Sequence, residues 1–386
     1  MREFNIESYL NELEVLVNMD SGQGNAAGIN AVGDYFAKRL ARIGFVIDRR
    51  ALGPNTGNCT IAVNRRAKRY DVMLVGHVDT VFPTGEAAKR PFHRDQARAY
   101  GVGVLDMKQG CLAMLYALEA LPKAVLDELS VVAIFNPDEE IGSVYSAPVI
   151  DEYAKRSDYA FVFEAASTDG SHTVERKGRT ALRVTLHGAA GHAGYLFDGG
   201  SLSAVNELVY WINALSALHS RARGTSVNVG VLRADGAANI VPDAAMMEFE
   251  ARYESMSEYE ALTRTIEGLK AHAREYGAGV EIDVLACAPP LAPNEKTAQY
   301  IQRMRAIAEG MGTEFKLRKR GGLSDANHIA AYGPVCVDGL GPTGDFDHSD
   351  REYLEIATIE PSLRFASALL CDLARLCARE QRAREG

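Results

Sequence analysis

Asp71-Val72-Met73-Leu74-Val75-Gly76-His77-Val78-Asp79 is the stretch from which the fold is read. Its apolar run predicts a buried strand ending at His77. On an extended backbone, residues two apart face the same side, so His77 and Asp79 leave the strand together. A histidine so placed can bind metal through one ring nitrogen while a carboxylate holds the other N–H. The ordinary alternative is a surface histidine beside an aspartate. Two further apolar runs follow. Leu129-Ser130-Val131-Val132-Ala133-Ile134-Phe135 ends at Asn136-Pro137, just before Asp138-Glu139-Glu140. Asp158-Tyr159-Ala160-Phe161-Val162-Phe163 ends at Glu164. Helical spacing covers 7–18, 26–44 (with Gly44 as C-cap) and 109–121, which closes before Pro122. Strands alternating with helices predict an α/β fold with a mostly parallel sheet. In such sheets ligands bind beyond the carboxyl ends of the strands, where these acidic and imidazole groups fall.

The middle of the chain follows another rule. Strands are expected at 179–187, 226–232, 245–252 and 279–285, and helices at 201–219 and 256–276. The order β-α-β-β-α-β is the ferredoxin-like pattern. It reads as a compact α+β domain inserted into the first one, with Pro289-Pro290 and Pro293 marking the return. The expected boundaries are 1–176 with 289–386 for the catalytic domain and 177–288 for the insert. A helix near 296–311, a Gly321-Gly322 loop, a strand near 335–338 and a helix over 358–378 complete the chain. Its 386 residues agree with two cores rather than one.

Composition narrows the function. A net charge of −9 argues against a nucleic-acid partner. No run of about 18 apolar residues is present, so no membrane span is expected. The first residues are acidic and lack an apolar core, so no secretory signal is expected. Cys59, Cys111, Cys287, Cys336, Cys371 and Cys377 are scattered, without a CxxC pair. They read as mostly buried thiols of a cytoplasmic enzyme.

Each chemical candidate is ordinary alone. Two glutamates at a strand terminus are usually solvated charge. A functional reading needs Glu139 and Glu140 to differ, one binding metal and the other taking a proton from water. Glu164 offers another oxygen ligand. Asp106 lies in Gly101-Val102-Gly103-Val104-Leu105-Asp106-Met107-Lys108-Gln109-Gly110, whose glycines suit tight turns. A kinase-like or dinucleotide-binding reading of this stretch has only weak support, because Asp106 occupies the place of the third glycine. Crowded carboxylates and imidazoles repel one another unless cations lie between them. Two zinc ions about 3.5–4 Å apart would neutralise them and activate a water.

The order strand–HxD, GxGxxDMKxG, strand–xxEE, strand–E and late Asp347-His348-Ser349 is far more specific than its parts. It resembles the co-catalytic zinc metallopeptidases that include glutamate carboxypeptidase, acetylornithine deacetylase, succinyl-diaminopimelate desuccinylase, aminoacylase and peptidase T. Gly76-His77-Val78-Asp79-Thr80-Val81-Phe82-Pro83 and Asn136-Pro137-Asp138-Glu139-Glu140-Ile141-Gly142-Ser143 bring it nearest to the glutamate carboxypeptidases. The resemblance implies a two-zinc hydrolase of an amide bond, with cobalt or manganese as substitutes. Asp106 would bridge the metals, His77 and Glu164 would complete one site, and Glu140 and His348 the other. Glu139 would be general base and acid, and Asp79 would orient His77. A cis peptide after Asp106 is also implied.

For the insert the resemblance implies a dimerisation domain and a homodimer. His192 would reach a partner subunit's site and stabilise the oxyanion. Asn239 and Arg252 would contact substrate, as would the Gly321-Gly322-Leu323-Ser324-Asp325 loop through Gly322 and Ser324. An ion pair with Glu250 or Asp243 for Arg252, a turn role for His192 and an N-cap role for Ser324 or Asp325 stand as alternatives. The implied substrate is a peptide or N-acyl amino acid, cleaved with release of its C-terminal amino acid. A deacylase or an aminopeptidase or dipeptidase of the same fold is the alternative. Where glutamate-releasing relatives are expected to carry a basic residue, this chain has Ala286-Cys287-Ala288-Pro289, with His172 and Arg176-Lys177 as other sources of positive charge.

Overall fold

The computed structural model describes residues 4–196 and 199–385, with side chains described to residue 379. The chain divides into two compact units. One comprises 1–175, 293–320 and 324–386; the other comprises 176–292 with 321–323. Residues 176, 289–292 and 321–323, read from sequence as part of the outer unit, thus cluster with the insert.

The outer unit is built on a six-stranded sheet. Its spatial order is Val46–Ala51, Asn58–Val63, Val131–Asn136, Tyr70–His77, Ser157–Val162 and Val335–Val337. The last four strands are mutually parallel, and the first two join antiparallel at one edge. His77 lies beside Asn136, and the Phe163 N–H donates to the Val75 carbonyl at 2.9 Å, so three strands end at one rim. The Val131–Asn136 strand is buried throughout, and the inner residues of Tyr70–His77 are buried as well. Both faces of these central strands are thus covered, as parallel strands require.

Helices Ala26–Arg42, Gln109–Glu119 and Ile359–Glu385 supply apolar side chains to this core. Gln109–Glu119 is buried almost all round, which requires a small residue where backbones meet. Gly110 is that residue: a Cβ there would lie 1.9 Å from the Phe163 carbonyl oxygen. The last helix runs to Glu385, beyond the expected end at 378.

The inserted unit is a four-stranded antiparallel sheet in the order Ser226–Arg233, Ala244–Tyr253, Gly178–His187, Gly279–Ala288. That is the ferredoxin-like order. Helices Ala204–Ser216 and Met256–Tyr276 pack their apolar stripes on one face. Along Ala244–Tyr253, burial alternates strictly: Ala245, Met247, Phe249, Ala251 and Tyr253 enter the core. Glu248, Glu250 and Arg252 therefore lie on the opposite face. There Arg179 and Arg252 both pair with Glu250, at 2.8 and 2.7 Å.

No disulfide joins any of the six cysteines. Cys59, Cys111 and Cys336 are buried and Cys371 and Cys377 partly so, but Cys287 is exposed, because its strand lies at the sheet edge. Among the described residues no helix is long and apolar enough to cross a membrane.

Candidate active site

The three central strands deliver their terminal residues to one rim of the outer sheet. His77, at the end of the first, is 1% exposed, and Asp79 is fully buried. The His77 Nδ1 lies 3.1 Å from the Asp79 carbonyl oxygen and 3.3 Å from its Oδ1, so Nδ1 carries the proton and donates. Nε2 is thereby turned towards Asp106 Oδ1 at 2.9 Å and Glu164 Oε1 at 3.6 Å. Asp106 meets a second imidazole with its other oxygen: Oδ2 stands 3.0 Å from His348 Nε2. That same nitrogen lies 3.1 Å from Glu140 Oε2. Asp106 is thus shared between two imidazole–carboxylate groups, and the five residues expected to hold metal converge.

The loops explain the convergence. Asp106 sits in the Val104–Lys108 turn, entered through Gly103 at φ 65, and the Asp106–Met107 peptide is cis. His348 adopts φ 61, a left-handed conformation rare outside glycine, which aims its ring at Asp106. Glu139 and Glu140 open a short 3-10 turn held by Asp79, whose Oδ1 accepts from the Glu139 N–H at 3.2 Å and Oδ2 from the Glu140 N–H at 3.0 Å. Asp79 therefore fixes both the imidazole and the two-glutamate turn.

The electrostatics follow from the crowding. Burial opposes charge on His77, yet the hydrogen bonds to Asp106 and Asp79 hold its pKa well above the usual imidazole value. Bonds to Asp106 and Glu140 raise His348 to about 11. Burial opposes ionisation of Asp106, but the bonds from His348 and His77 more than offset it and keep the carboxyl below its usual range. Burial pushes Glu139 well above the carboxylate range, and Glu164 adds to the effect while His77 opposes it. Glu140 is raised by burial and by Asp106. Its Oε1 is buried with no hydrogen-bond partner.

That orphaned oxygen and the two Nε2 atoms facing carboxylates are the test of whether cations fit. An imidazole whose Nδ1 proton is already committed, as in His77, has a lone pair at Nε2, which must either take a second proton or meet a cation. Ligand atoms of His77, Asp106 and Glu140 all lie within 4.8 Å of one another, as do those of Asp106, Asp347 and His348. An N/O donor set of this kind suits zinc and its neighbours among the divalent metals.

The remaining expected residues have partners of their own. His192 is exposed in a short strand pairing with Ile240, and the Asn239 carbonyl accepts from the Ala193 N–H. The two therefore share one small ladder of the inserted unit. His192 Nδ1 accepts from the Gly194 N–H at 3.0 Å, so its proton sits on Nε2, which is left as a donor. Arg252 takes the ion pair with Glu250 and donates to the Gly321 carbonyl at 2.8 Å. The nearly buried Arg176 donates to the Gly322 carbonyl at 3.0 Å and to Leu323, so it is occupied with loop backbone. Ser324 caps the Asp325–Ala330 helix and donates to Asp338 at 2.7 Å. Lys177 pairs with Glu254. His172 is no cationic site: burial lowers its pKa, Nδ1 bonds the Gly339 carbonyl at 2.8 Å, and the ring stacks on Phe365.

Several supporting residues carry no sequence signature. Gln23 donates to Asp79. Asn136 and Ser143 both donate to the buried Asp325, tying the two-glutamate turn to the Ser324 helix. Their types are unremarkable and their partners lie far off in sequence.

The sequence model of peptidase family M20/M25/M40 matches residues 73–372. Carboxypeptidase G2 of Pseudomonas sp. strain RS-16 is 30% identical over 366 residues, 94% of this chain and 88% of that protein. Succinyl-diaminopimelate desuccinylase of Acidovorax ebreus strain TPSY is 28% identical over 360 residues, covering 85% and 89%. The crystal structure of aminopeptidase PepT from Bacillus cereus superposes with a TM-score of 0.73 at 21% identity, over 96% of this chain and 99% of that one. The chain is therefore a member of peptidase family M20/M25/M40, an enzyme of the metallopeptidase and amidohydrolase class.

Proposed function

We propose that this enzyme hydrolyses an amide bond to release a C-terminal amino acid from a peptide or N-acyl amino acid, using two zinc ions. The observation that carries the reading is Asp106 shared between His77 and His348, with Glu140 and Glu164 completing the two sides. His77, Glu164 and Asp106 would hold one ion; His348, Glu140 and Asp106 would hold the other. Bound there, the ions supply Lewis acidity towards a water and the scissile carbonyl. Cobalt or manganese are expected substitutes.

This chain's residues do the proton work. Glu139, with its elevated affinity for a proton, takes one from the attacking water and passes it to the leaving amine. Asp79 keeps the His77 proton on Nδ1 and the Glu139 backbone fixed. The enzyme acts as a homodimer through its inserted unit, in the cytoplasm. The partner subunit's His192, with its donor on Nε2, stabilises the developing oxyanion, and Asn239, Arg252 and the Gly322–Ser324 loop contact substrate.

The relatives named as carboxypeptidase and as desuccinylase favour two substrate classes, peptides and N-acyl amino acids. Stretch 286–289 carries no charge, which favours a substrate selection other than glutamate alone. A screen of N-acyl amino acids and dipeptides with zinc, cobalt and manganese tests this reading. Release of free amino acid from a substrate with a free carboxyl terminus is expected, and Glu139→Gln should lower kcat about 10²–10⁴-fold. Turnover of blocked C-termini at equal rate, or wild-type turnover by Glu139→Gln, contradicts it.

A further inference from the structure

Glu352 follows His348 by four residues and is 2% exposed. Its carboxylate crosses to the glycine-rich stretch around Asp106. Oε1 accepts from the N–H of Leu105 at 2.7 Å and from that of Asp106 at 3.0 Å. Oε2 accepts from the Gly103 N–H at 3.1 Å. Three backbone donors of one turn thus converge on a single buried side chain. Lys108, at the end of the same turn, is also buried and donates to the carbonyls of Met19 at 2.8 Å, Val102 at 3.2 Å and Val17 at 3.4 Å.

Burying an anion is unfavourable unless strong hydrogen bonds compensate. A carboxylate is acceptor-only, so it can face three N–H groups where an amide or hydroxyl would turn a donor inward. One of the three is the Asp106 N–H itself. The bond therefore fixes the peptide plane from which the Asp106 side chain reaches His77 at 2.9 Å and His348 at 3.0 Å. The same short segment carries His348 in its left-handed conformation. One run of chain thus presents one expected ligand and holds the backbone of another.

We propose that Glu352 is a positioning residue for the groups that would hold the metals: it sets Asp106 in register with His348, so that one Asp106 oxygen faces His77 and the other faces His348. The proposal rests on Asp106 being the shared ligand. Glu352 touches neither substrate nor the reacting atoms.

The test uses the full-length enzyme and the variants E352Q, E352D and D106N. Metal affinity is measured by zinc competition against a chromophoric chelator, alongside kcat, KM and the melting temperature of the metal-free protein. E352Q keeps the volume but presents an N–H to at least one backbone N–H. It should lose about 10–100-fold in metal affinity and in kcat with KM unchanged. E352D, which keeps the carboxylate at shorter reach, should fall between E352Q and wild type. A purely structural role would lower the melting temperature and leave metal affinity and kcat as in wild type, and that result overturns the proposal. If E352Q does not fold, E352D decides: wild-type metal affinity in E352D refutes the role. If D106N itself binds zinc as wild type does, the shared-ligand reading fails. If D106N loses zinc while the Glu352 variants keep it, only the role of Glu352 fails.

Discussion

Replacing Asp79 by asparagine isolates one charge without changing volume. Asp79 is fully buried, and both of its oxygens are engaged. Oδ1 receives the Glu139 N–H at 3.2 Å and faces the His77 Nδ1 at 3.3 Å; Oδ2 receives the Glu140 N–H at 3.0 Å and the Gln23 amide. Asparagine has one acceptor oxygen. In either orientation its NH2 group confronts a backbone N–H, leaving a buried donor unsatisfied at a cost of about 1–3 kcal/mol. For a unit of this size each kcal/mol lowers Tm by roughly 2–4 °C. The His77 proton also loses its charged partner, and losses of this kind cost about 10–100-fold in metal affinity or activity. Asp79→Asn should therefore melt a few degrees lower when metal-free, bind zinc about 10–100-fold more weakly, and lose kcat/KM by a similar factor. Differential scanning fluorimetry and chelator competition read the first two separately. Wild-type zinc affinity together with a lowered Tm would refute the claim that Asp79 orients His77, and reduce it to a brace for the Glu139–Glu140 turn.

Three further outcomes are expected. Gly110→Ala should destabilise the outer unit by about 1–3 kcal/mol or more, because its Cβ would meet the Phe163 carbonyl at 1.9 Å. It should also weaken zinc binding by shifting Asp106 relative to Glu164; a variant with wild-type stability would show that the helix and strand do not approach as described. The His172 pKa is depressed by burial, so its neutral form is favoured in the fold while the unfolded chain protonates near pH 6.5. Stability attributable to His172 is thus full above that pH and lost as pH falls below it towards the folded pKa. His172→Gln should make the stability difference from wild type shrink or reverse between pH 7 and 5, and a pH-independent difference in denaturant midpoints would contradict the depressed pKa. Trp211 is fully buried in the inserted unit and donates to Glu207 at 3.1 Å. Trp211→Ala should cost about 3–5 kcal/mol, read in a melting curve of the metal-free protein; a loss below 1 kcal/mol would contradict its place in that core.

The strand termini were legible because a buried strand writes its identity in consecutive apolar residues, and His77, Glu139, Glu140 and Glu164 come directly after such runs. The inserted unit was legible from alternation, as in Ala244–Tyr253, and from two long amphipathic helices. The antiparallel strands Val46–Ala51, at the sheet edge, and Asn58–Val63, beside it, were not. The first is largely exposed, so it carries neither a continuous apolar run nor clean alternation. The short helices Lys123–Glu128 and Ala147–Ala154 are too brief to show a period. Glu352, Gln23 and Asn136 act through partners distant in sequence, a relation that a single chain does not display. For Ser324 and Arg252 the sequence offered substrate contact and local bonding alike. The structure gives both residues local partners, and the substrate role is carried as a proposal.

Zinc titration of the metal-free enzyme, with amide hydrolysis followed at each addition, tests the central claim most directly. The account predicts that activity is absent without metal and reaches its plateau at two equivalents per chain, with His348→Ala and Asp106→Asn failing to reach it. Full activity in the presence of excess chelator, with no zinc bound, would contradict it.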